Sequence, residues 1–148
     1  MPLHFRFFLA AIIFVILGML LGIWMGINED FTYAPVHAHL NLVGWATMFL
    51  YGLFYRGDVA ASEGVLPQVQ FWCAVIGLII LAPGIWSAQT AGPLSWLAIP
   101  GSLLTLAAML SFLTVVWQAS RRSAMASGGT SGETGREGAE PVGYFATS

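Results

Sequence analysis

The chain has 148 residues, of which 57% are hydrophobic and only 8% are charged, and it contains no lysine. A soluble domain carries charges on about a quarter of its residues, so this composition and a mean hydropathy of +0.78 indicate an integral membrane protein. The net charge of −2 provides no basic patch and excludes nucleic acid as an expected partner. The single cysteine, Cys73, cannot form a disulfide within the chain.

Four apolar stretches are long enough to cross a hydrocarbon core of ~30 Å, which takes ~20 helical residues each. None of them contains Asp, Glu, Lys or Arg. Backbone polar groups inside a bilayer have to be hydrogen-bonded within the protein, which favours helices over strands for stretches of this length. The predicted spans are about 7–27, 36–55, 69–88 and 94–118. The first is too long for a signal peptide and no cleavage site follows it, so we expect it to be a retained helix.

The fold class predicted from these spans is all-α: a polytopic membrane four-helix bundle in residues 1–122. After residue 122 the sequence becomes rich in Gly, Ser and Thr without apolar periodicity, so residues 123–148 are predicted to form a disordered cytoplasmic tail. The arginines within the first 122 residues all fall on one side of a four-span topology: Arg6, Arg56, Arg121 and Arg122. By the positive-inside rule, both termini are predicted to be cytoplasmic in a bacterial-type inner (plasma) membrane.

Two histidines stand near the start of the second predicted span, in the segment YAPVHAHLNLVGW of residues 33–45. His37 and His39 are the only ionisable side chains within the spans, apart from Tyr and Cys groups that stay neutral. An ionisable residue inside a membrane helix indicates a functional site, here near the outer face. The alternative is that both imidazoles lie at the membrane interface and contact water or lipid headgroups.

The spacing of the histidines limits what they can bind. Residues two apart on an α-helix are ~200° apart around its axis, so His37 and His39 on a regular helix cannot hold one metal ion together. In an extended segment the two would share a face and could chelate copper or zinc. Pro35 is well placed for an early helix start, which favours two separate sites.

A neutral imidazole in an apolar interhelical space is a suitable axial ligand for haem iron. The sequence has no CxxCH attachment motif, so the predicted cofactor is non-covalent haem b, with copper as the alternative. A haem with two histidine ligands needs a second imidazole, and the third and fourth spans contain none. A ring of identical subunits supplies it, with His37 of one chain and His39 of the next facing the same space.

Two neighbouring residues are further cofactor-binding candidates. Asn41, one turn after His37, could hydrogen-bond an imidazole, and Trp45 could border the haem plane. Helix packing is the alternative role for both side chains.

The segment FTYAPVHAHLNLVGWATMFLYGLFYR, residues 31–56, resembles the second-helix region of haem-copper oxidase subunit I and of related nitric oxide reductases. The preceding LGMLLGIWMG resembles the first helix of the same superfamily, so the resemblance covers about residues 7–56. Subunit I of that family has twelve helices in three arcs of four, with ligand histidines on the second helix of each arc. The resemblance therefore implies that this chain forms one four-helix arc and that a homotrimer rebuilds the ring.

The sequence departs from the family at the copper site, because it lacks the further histidine cluster that this site needs. A haem with two histidine ligands has no open iron position, so oxygen or nitric oxide reduction by this chain alone is not expected. The resemblance implies electron transfer, or haem-based redox sensing, with a respiratory redox partner. A copper- or zinc-binding protein and a non-catalytic subunit for oxidase assembly are the alternatives.

Small residues and prolines mark helix contacts. On the first span, glycines repeat every four residues and permit the close approach of another helix, within one subunit or between subunits. They are Gly18, Gly22 and Gly26. The dipeptides Pro83-Gly84 and Pro100-Gly101 are predicted to interrupt the third and fourth helices near the level of the histidines.

Overall fold

The computed structural model describes residues 1–130, with side chains up to residue 126. Every regular element in this part of the chain is helical, which confirms the predicted all-α class. The elements are α1 (Leu3–Asn28), α2 (Ala34–His39), a π segment (Leu40–Thr47), α3 (Met48–Gly57), α4 (Val65–Gln89) and α5 (Ala98–Thr130). Short 3₁₀ turns at Ala60–Ser62 and Ser95–Leu97 precede α4 and α5.

Three helical stretches of the described chain are long and apolar enough to cross a membrane. They are Leu3–Asn28, Val65–Gln89 and Ser95–Ala126. These stretches match the first, third and fourth predicted spans and support a membrane location. The second predicted span, 36–55, is occupied by α2, the π segment and α3, which follow one another without a gap but are each short.

Helix α5, Ala98–Thr130, continues beyond the predicted domain boundary at residue 122. Residues 123–130, predicted as the start of an irregular tail, are therefore helical. Arg121, Arg122, Ala124, Met125 and Ala126 are good helix formers, so the helix nucleated in the apolar span propagates past residue 122. The rest of the predicted tail, residues 131–148, lies outside the described residues.

The two prolines predicted to interrupt helices do not do so. Pro83 lies inside α4, which continues to Gln89. Pro100 lies in the first turn of α5, where the missing backbone N–H has no intrahelical acceptor to lose. The long apolar stretches therefore predicted the helices correctly, whereas the predicted interruptions at Pro83 and Pro100 were wrong.

Glycines beside these prolines bring α4 and α5 into backbone contact. A Cβ atom added at Gly84 would lie 2.3 Å from the backbone nitrogen of Ala98, and one at Gly101 would lie 2.6 Å from Leu81 Cα. At Gly77 the added atom would lie 2.9 Å from a backbone nitrogen of α5. Small residues in such positions are the usual means by which membrane helices pack closely.

An aromatic cluster ties the four long helical paths together. The Phe7 ring of α1 lies 5.7 Å from the Tyr55 ring of α3 and 5.1 Å from the Phe71 ring of α4, measured between centroids. Tyr51 of α3 lies 4.4 Å from Phe112 of α5. Buried aromatic pairs at these separations contribute about 0.5–1.5 kcal/mol each beyond their burial. The cluster is the main apolar core of one half of the bundle.

Polar contacts bring four chain segments to one end of the bundle. The Arg6 guanidinium at the start of α1 donates a hydrogen bond to Gln68 Oε1 at the start of α4. Arg122 Nη2 of α5 lies 3.8 Å from Asp58 Oδ2 in the α3–α4 connection. We call this end, where the predicted cytoplasmic arginines lie, the basic end.

At the opposite end, a short turn connects α1 to α2. The Thr32 backbone N–H donates to Asp30 Oδ1 at 2.9 Å, and hydrogen bonding from the side chain and backbone of Thr32 lowers the pKa of that carboxyl. Tyr33 stacks on Trp86 of α4 with centroids 3.8 Å apart and also contacts Trp24 of α1. These contacts fix the start of α2, where the two histidines lie, between α1 and α4.

Candidate functional site between α1 and α2

The histidine pair lies on regular α-helix. Helix α2 begins directly after Tyr33, has Pro35 in its first turn and keeps α-helical backbone angles at His39. This confirms the predicted early helix start. An extended geometry, in which both imidazoles would share one face, is excluded. Because residues two apart differ by ~200° around a helix, the two imidazoles leave α2 in nearly opposite directions.

The imidazole of His37 packs against α1. Its Nδ1 lies 2.8 Å from the carbonyl oxygen of Gly18. Since a carbonyl oxygen only accepts hydrogen bonds, Nδ1 carries the proton and donates it. A Cβ atom added at Gly22 would lie 2.8 Å from His37 Cε1, so the glycine provides the space that the ring occupies. His37 is thus a polar link between two membrane helices.

Asn41 lies beside His37 in the same contact. Its Nδ2 donates to the His37 carbonyl oxygen at 2.7 Å and lies 3.3 Å from His37 Nε2. A Cβ atom added at Gly18 would lie 2.8 Å from this Nδ2. Gly18 and Gly22 therefore make room for side chains of their own chain, which is packing within one subunit. Within the described part of the chain Gly26 belongs to no such contact, because an added Cβ there would meet nothing within 4 Å.

His39 is held by its own helix. Its Nδ1 lies 2.7 Å from the carbonyl oxygen of Pro35, one turn earlier, so this ring also donates from Nδ1. In the described part of the chain no protein group bonds to its Nε2. The half-buried ring therefore presents an unused lone pair.

Trp45 lies apart from the contact of His37 with Asn41. It is part of the π segment and remains 44% exposed, and Leu42 on the same segment is 65% exposed. The structure thus brings two of the four predicted site residues together. It places His39 on a different side of the helix and Trp45 on the outer surface.

The π segment itself was not predicted from the sequence. Hydrogen bonds in a π-helix run from i to i+5, and such segments are rare and often found at functional sites. The Thr47 hydroxyl donates to the Leu42 carbonyl five residues earlier at 2.8 Å. Gly44, buried in the same segment, lies so close to α1 that an added Cβ would be 2.7 Å from Phe14 Cβ. The widened turn therefore fits a close approach between helices.

A buried polar pair at the other end of the bundle was also not predicted from the sequence. The Tyr55 hydroxyl of α3 donates to Gln70 Oε1 of α4, and neither residue is exposed. Gln70 Nε2 is buried without a hydrogen-bond partner among the described residues. A glutamine inside a predicted span was the available signal, because polar residues in membrane helices mostly face the bundle interior.

The His, Cys, Asp and Glu side chains of the described residues limit the kinds of metal site that this chain could form. Among residues 1–130, no group of three or more His, Cys, Asp or Glu side chains could hold a metal ion. A closed structural zinc site takes four protein ligands. His37 and His39 are instead two separate imidazole donors, each with Nδ1 bonded to a backbone carbonyl. Metal-binding histidines commonly have this second hydrogen bond, which orients the ring and leaves Nε2 for the metal.

Comparison with protein-family models, with curated proteins and with solved structures finds no match for this chain. The resemblance to haem-copper oxidase subunit I therefore stays a prediction from the histidine segment and the helix that precedes it.

Proposed function

We propose that this protein is a four-span membrane protein that binds haem b and serves electron transfer or haem-based redox sensing. In this proposal, His37 of one subunit and His39 of the next would hold the haem iron. The observation that carries it is the hydrogen bonding of the two rings. Both Nδ1 atoms donate to backbone carbonyls, of Gly18 and Pro35, so each ring would offer its Nε2 to iron. Among the described residues that nitrogen has no partner in His39, whereas in His37 it lies 3.3 Å from the Asn41 amide.

The surroundings of the two imidazoles fit this ligand role. The Asn41 amide lies 3.3 Å from His37 Nε2, but it has a second acceptor at 2.7 Å and can release this nitrogen without losing its only bond. Trp45 and Leu42, on the π segment that follows His39, present exposed apolar surface suited to a flat apolar macrocycle. When bound, the haem supplies a one-electron redox change at iron.

The topology proposed with this function has four crossings. The uninterrupted helical path over 34–57 is about 36 Å long at 1.5 Å per residue, enough to cross a core of ~30 Å despite its division into three segments. Because the arginines of the basic end lie on one side, that end is proposed to be cytoplasmic in an inner (plasma) membrane. The histidines then lie near the outer face.

A visible spectrum tests haem binding. Purified protein, supplied with haem during expression, is expected to show a Soret band and sharp low-spin α and β bands on reduction. His37→Ala and His39→Ala are each expected to remove most of the bound haem, because each takes away one of two iron ligands. His4→Ala, a histidine variant at the basic end, is the matched control and keeps the spectrum. Full retention of the spectrum by either ligand variant would contradict the assignment.

Co-expression tests whether the two ligands come from different subunits. A chain carrying His37→Ala and a chain carrying His39→Ala each lack one proposed ligand, and each alone is expected to retain little haem. In a mixed oligomer, however, the intact His39 of one chain faces the intact His37 of the other, so part of the spectrum is expected to return. Absence of any recovery, with mixed oligomers shown by two affinity tags, would argue against ligands shared between subunits. A mass measurement in the same preparation tests the proposed homotrimer.

A second candidate function, a non-catalytic subunit for oxidase assembly or interaction, is favoured by one observation. Both ring nitrogens of His37 lie within hydrogen-bonding distance of protein groups, as expected for an imidazole that only links two helices. This candidate predicts a colourless protein in which His37→Ala lowers stability and His39→Ala does not. Copper or zinc binding, the remaining alternative, predicts metal without a haem spectrum.

A further inference from the structure

A long apolar groove runs along the outside of the contact between α1 and α4. It begins at the basic end and encloses about 510 Å³. Phe14 and Phe71, which are buried, form part of its floor. Its walls are exposed or partly buried apolar side chains, which include Leu9, Ile13, Leu17, Trp72, Val75 and Ile79. Neither His37 nor His39 lines the groove, which faces the surroundings of the bundle.

The length of the groove matches one leaflet of a bilayer. From Arg6 to Leu17, α1 rises by about 16 Å at 1.5 Å per residue. This is about half of a hydrocarbon core of ~30 Å. An acyl chain anchored at the basic end would therefore reach the inner end of the groove near the bilayer midplane.

Arg6 stands at the mouth of the groove and is held in a fixed position. Its guanidinium carbon lies 4.4 Å from the Phe71 ring centroid and 5.4 Å from that of Trp72. One of its five N–H donors is used by Gln68. No carboxylate within the described residues forms an ion pair with Arg6. The remaining donors form a planar fork, the geometry that binds phosphate through two parallel hydrogen bonds.

We propose that this groove binds a phospholipid with an anionic headgroup, with the phosphate on Arg6 and one acyl chain along α1 and α4. Arg6 is the only charged side chain of the lining, so an anionic lipid complements the site better than a zwitterionic one. The arginines place this end in the cytoplasmic leaflet, which carries the anionic lipids of a plasma membrane. Basic sites between membrane helices on this side are suited to such headgroups.

Lipid retention tests the proposal in the full-length protein. The protein is placed in nanodiscs of equimolar phosphatidylglycerol and phosphatidylcholine, released into detergent and weighed by native mass spectrometry. We expect retained phosphatidylglycerol to exceed phosphatidylcholine about fivefold, the ratio that corresponds to one arginine contact at a membrane surface. Arg6→Gln is expected to reduce this ratio to about one. Arg56→Gln removes an exposed arginine near the same end but outside the groove, and it is expected to keep the preference.

A second variant tests the contribution of the groove to lipid binding separately from that of the Arg6 charge. Ala10 lines the groove, so Ala10→Phe fills it and is expected to reduce retention of both lipids while Arg6 is intact. If Arg6→Gln does not fold, as judged by helical circular dichroism, Arg6→Lys keeps the charge without the fork and is expected to lower the ratio to roughly twofold.

Three outcomes would overturn the proposal: no headgroup preference in the unaltered protein, equal losses in the Arg6 and Arg56 variants, or a lipid-free oligomer that Ala10→Phe dissociates. The last would identify a second copy of the chain as the occupant of the groove.

Discussion

Two helix contacts in this molecule depend on glycine for different purposes. Between α4 and α5, Gly84 brings backbone against backbone, with an added Cβ only 2.3 Å from the nitrogen of Ala98. Between α1 and α2, Gly22 provides a recess for a side chain, with an added Cβ 2.8 Å from the imidazole of His37. The first contact shortens the distance between helices, while the second encloses a polar ring. A substitution at Gly84 should therefore mainly lower stability, whereas a substitution at Gly22 should mainly displace the imidazole of His37.

Gly84→Ala is expected to have the largest effect on stability. The new methyl group would meet backbone atoms that cannot rotate away, so the α4–α5 hairpin has to open. Overpacking typically costs 1–3 kcal/mol, and we expect a loss of about 3 kcal/mol here. Unfolding in detergent, followed by circular dichroism, measures it. Gly26→Ala is the matched control, because no atom of the described residues lies within 4 Å of the added atom. Equal stability of the two variants would contradict the backbone contact.

Gly22→Ala is expected to have a smaller effect on stability and a specific effect on the imidazole. The methyl group would meet a side chain that can shift by rotation, so we expect a loss of about 1–2 kcal/mol. Displacing His37 also disturbs its bond to the Gly18 carbonyl. If His37 ligates haem, the variant should lose haem or show an altered α band, while Gly84→Ala keeps a normal spectrum in the fraction that folds. The same spectral change in both variants would remove the distinction between the two contacts.

Asn41→Ala is expected to lower stability by about 1 kcal/mol, since it removes one interhelical side chain and a hydrogen bond to the His37 carbonyl. His37 keeps its Nδ1 bond to Gly18, so if His37 ligates haem the spectrum should persist. A complete loss of haem would instead identify Asn41 as essential for positioning the ring. The same unfolding and absorbance measurements apply.

Arg122→Gln is expected to have the smallest effect, because the ion pair with Asp58 is long and half exposed. Exposed pairs of this kind contribute about 0–1 kcal/mol and weaken with salt. We expect a difference within that range at low ionic strength that disappears in high salt. A loss as large as that of Gly84→Ala would show that the basic end is a third essential contact.

The helices were largely predictable because they depend on long apolar stretches. The first predicted span, 7–27, lies within α1, and the third, 69–88, lies within α4. The helical geometry of the histidine pair followed from Pro35 and the apolar sequence after it. These features are local, and local patterns are what a sequence displays directly.

The contacts of the site were not predictable in the same way. The acceptor for His37 Nδ1 is the backbone carbonyl of Gly18, nineteen positions earlier, and any residue type has such a carbonyl. The partner of Gln70 is Tyr55, in a different helix. The π segment has no local signature in LNLVGWAT, because the approach of Gly44 to α1 depends on tertiary packing. The His37 acceptor, the Gln70 partner and the π segment are all determined by how the helices pack against one another.

The π segment, Leu40–Thr47, also sets how α2, which precedes it, is rotated about the helix axis relative to α3. Each residue removed from this segment would rotate α2 by about 100° relative to α3. With α3 fixed in the aromatic cluster, such a rotation would carry His37 out of its recess on α1. The direction of the His37 imidazole is thus determined by the number of residues in the π segment, although that segment lies outside α2, which carries the ring. A one-residue deletion there would redirect the histidine while leaving it in the chain.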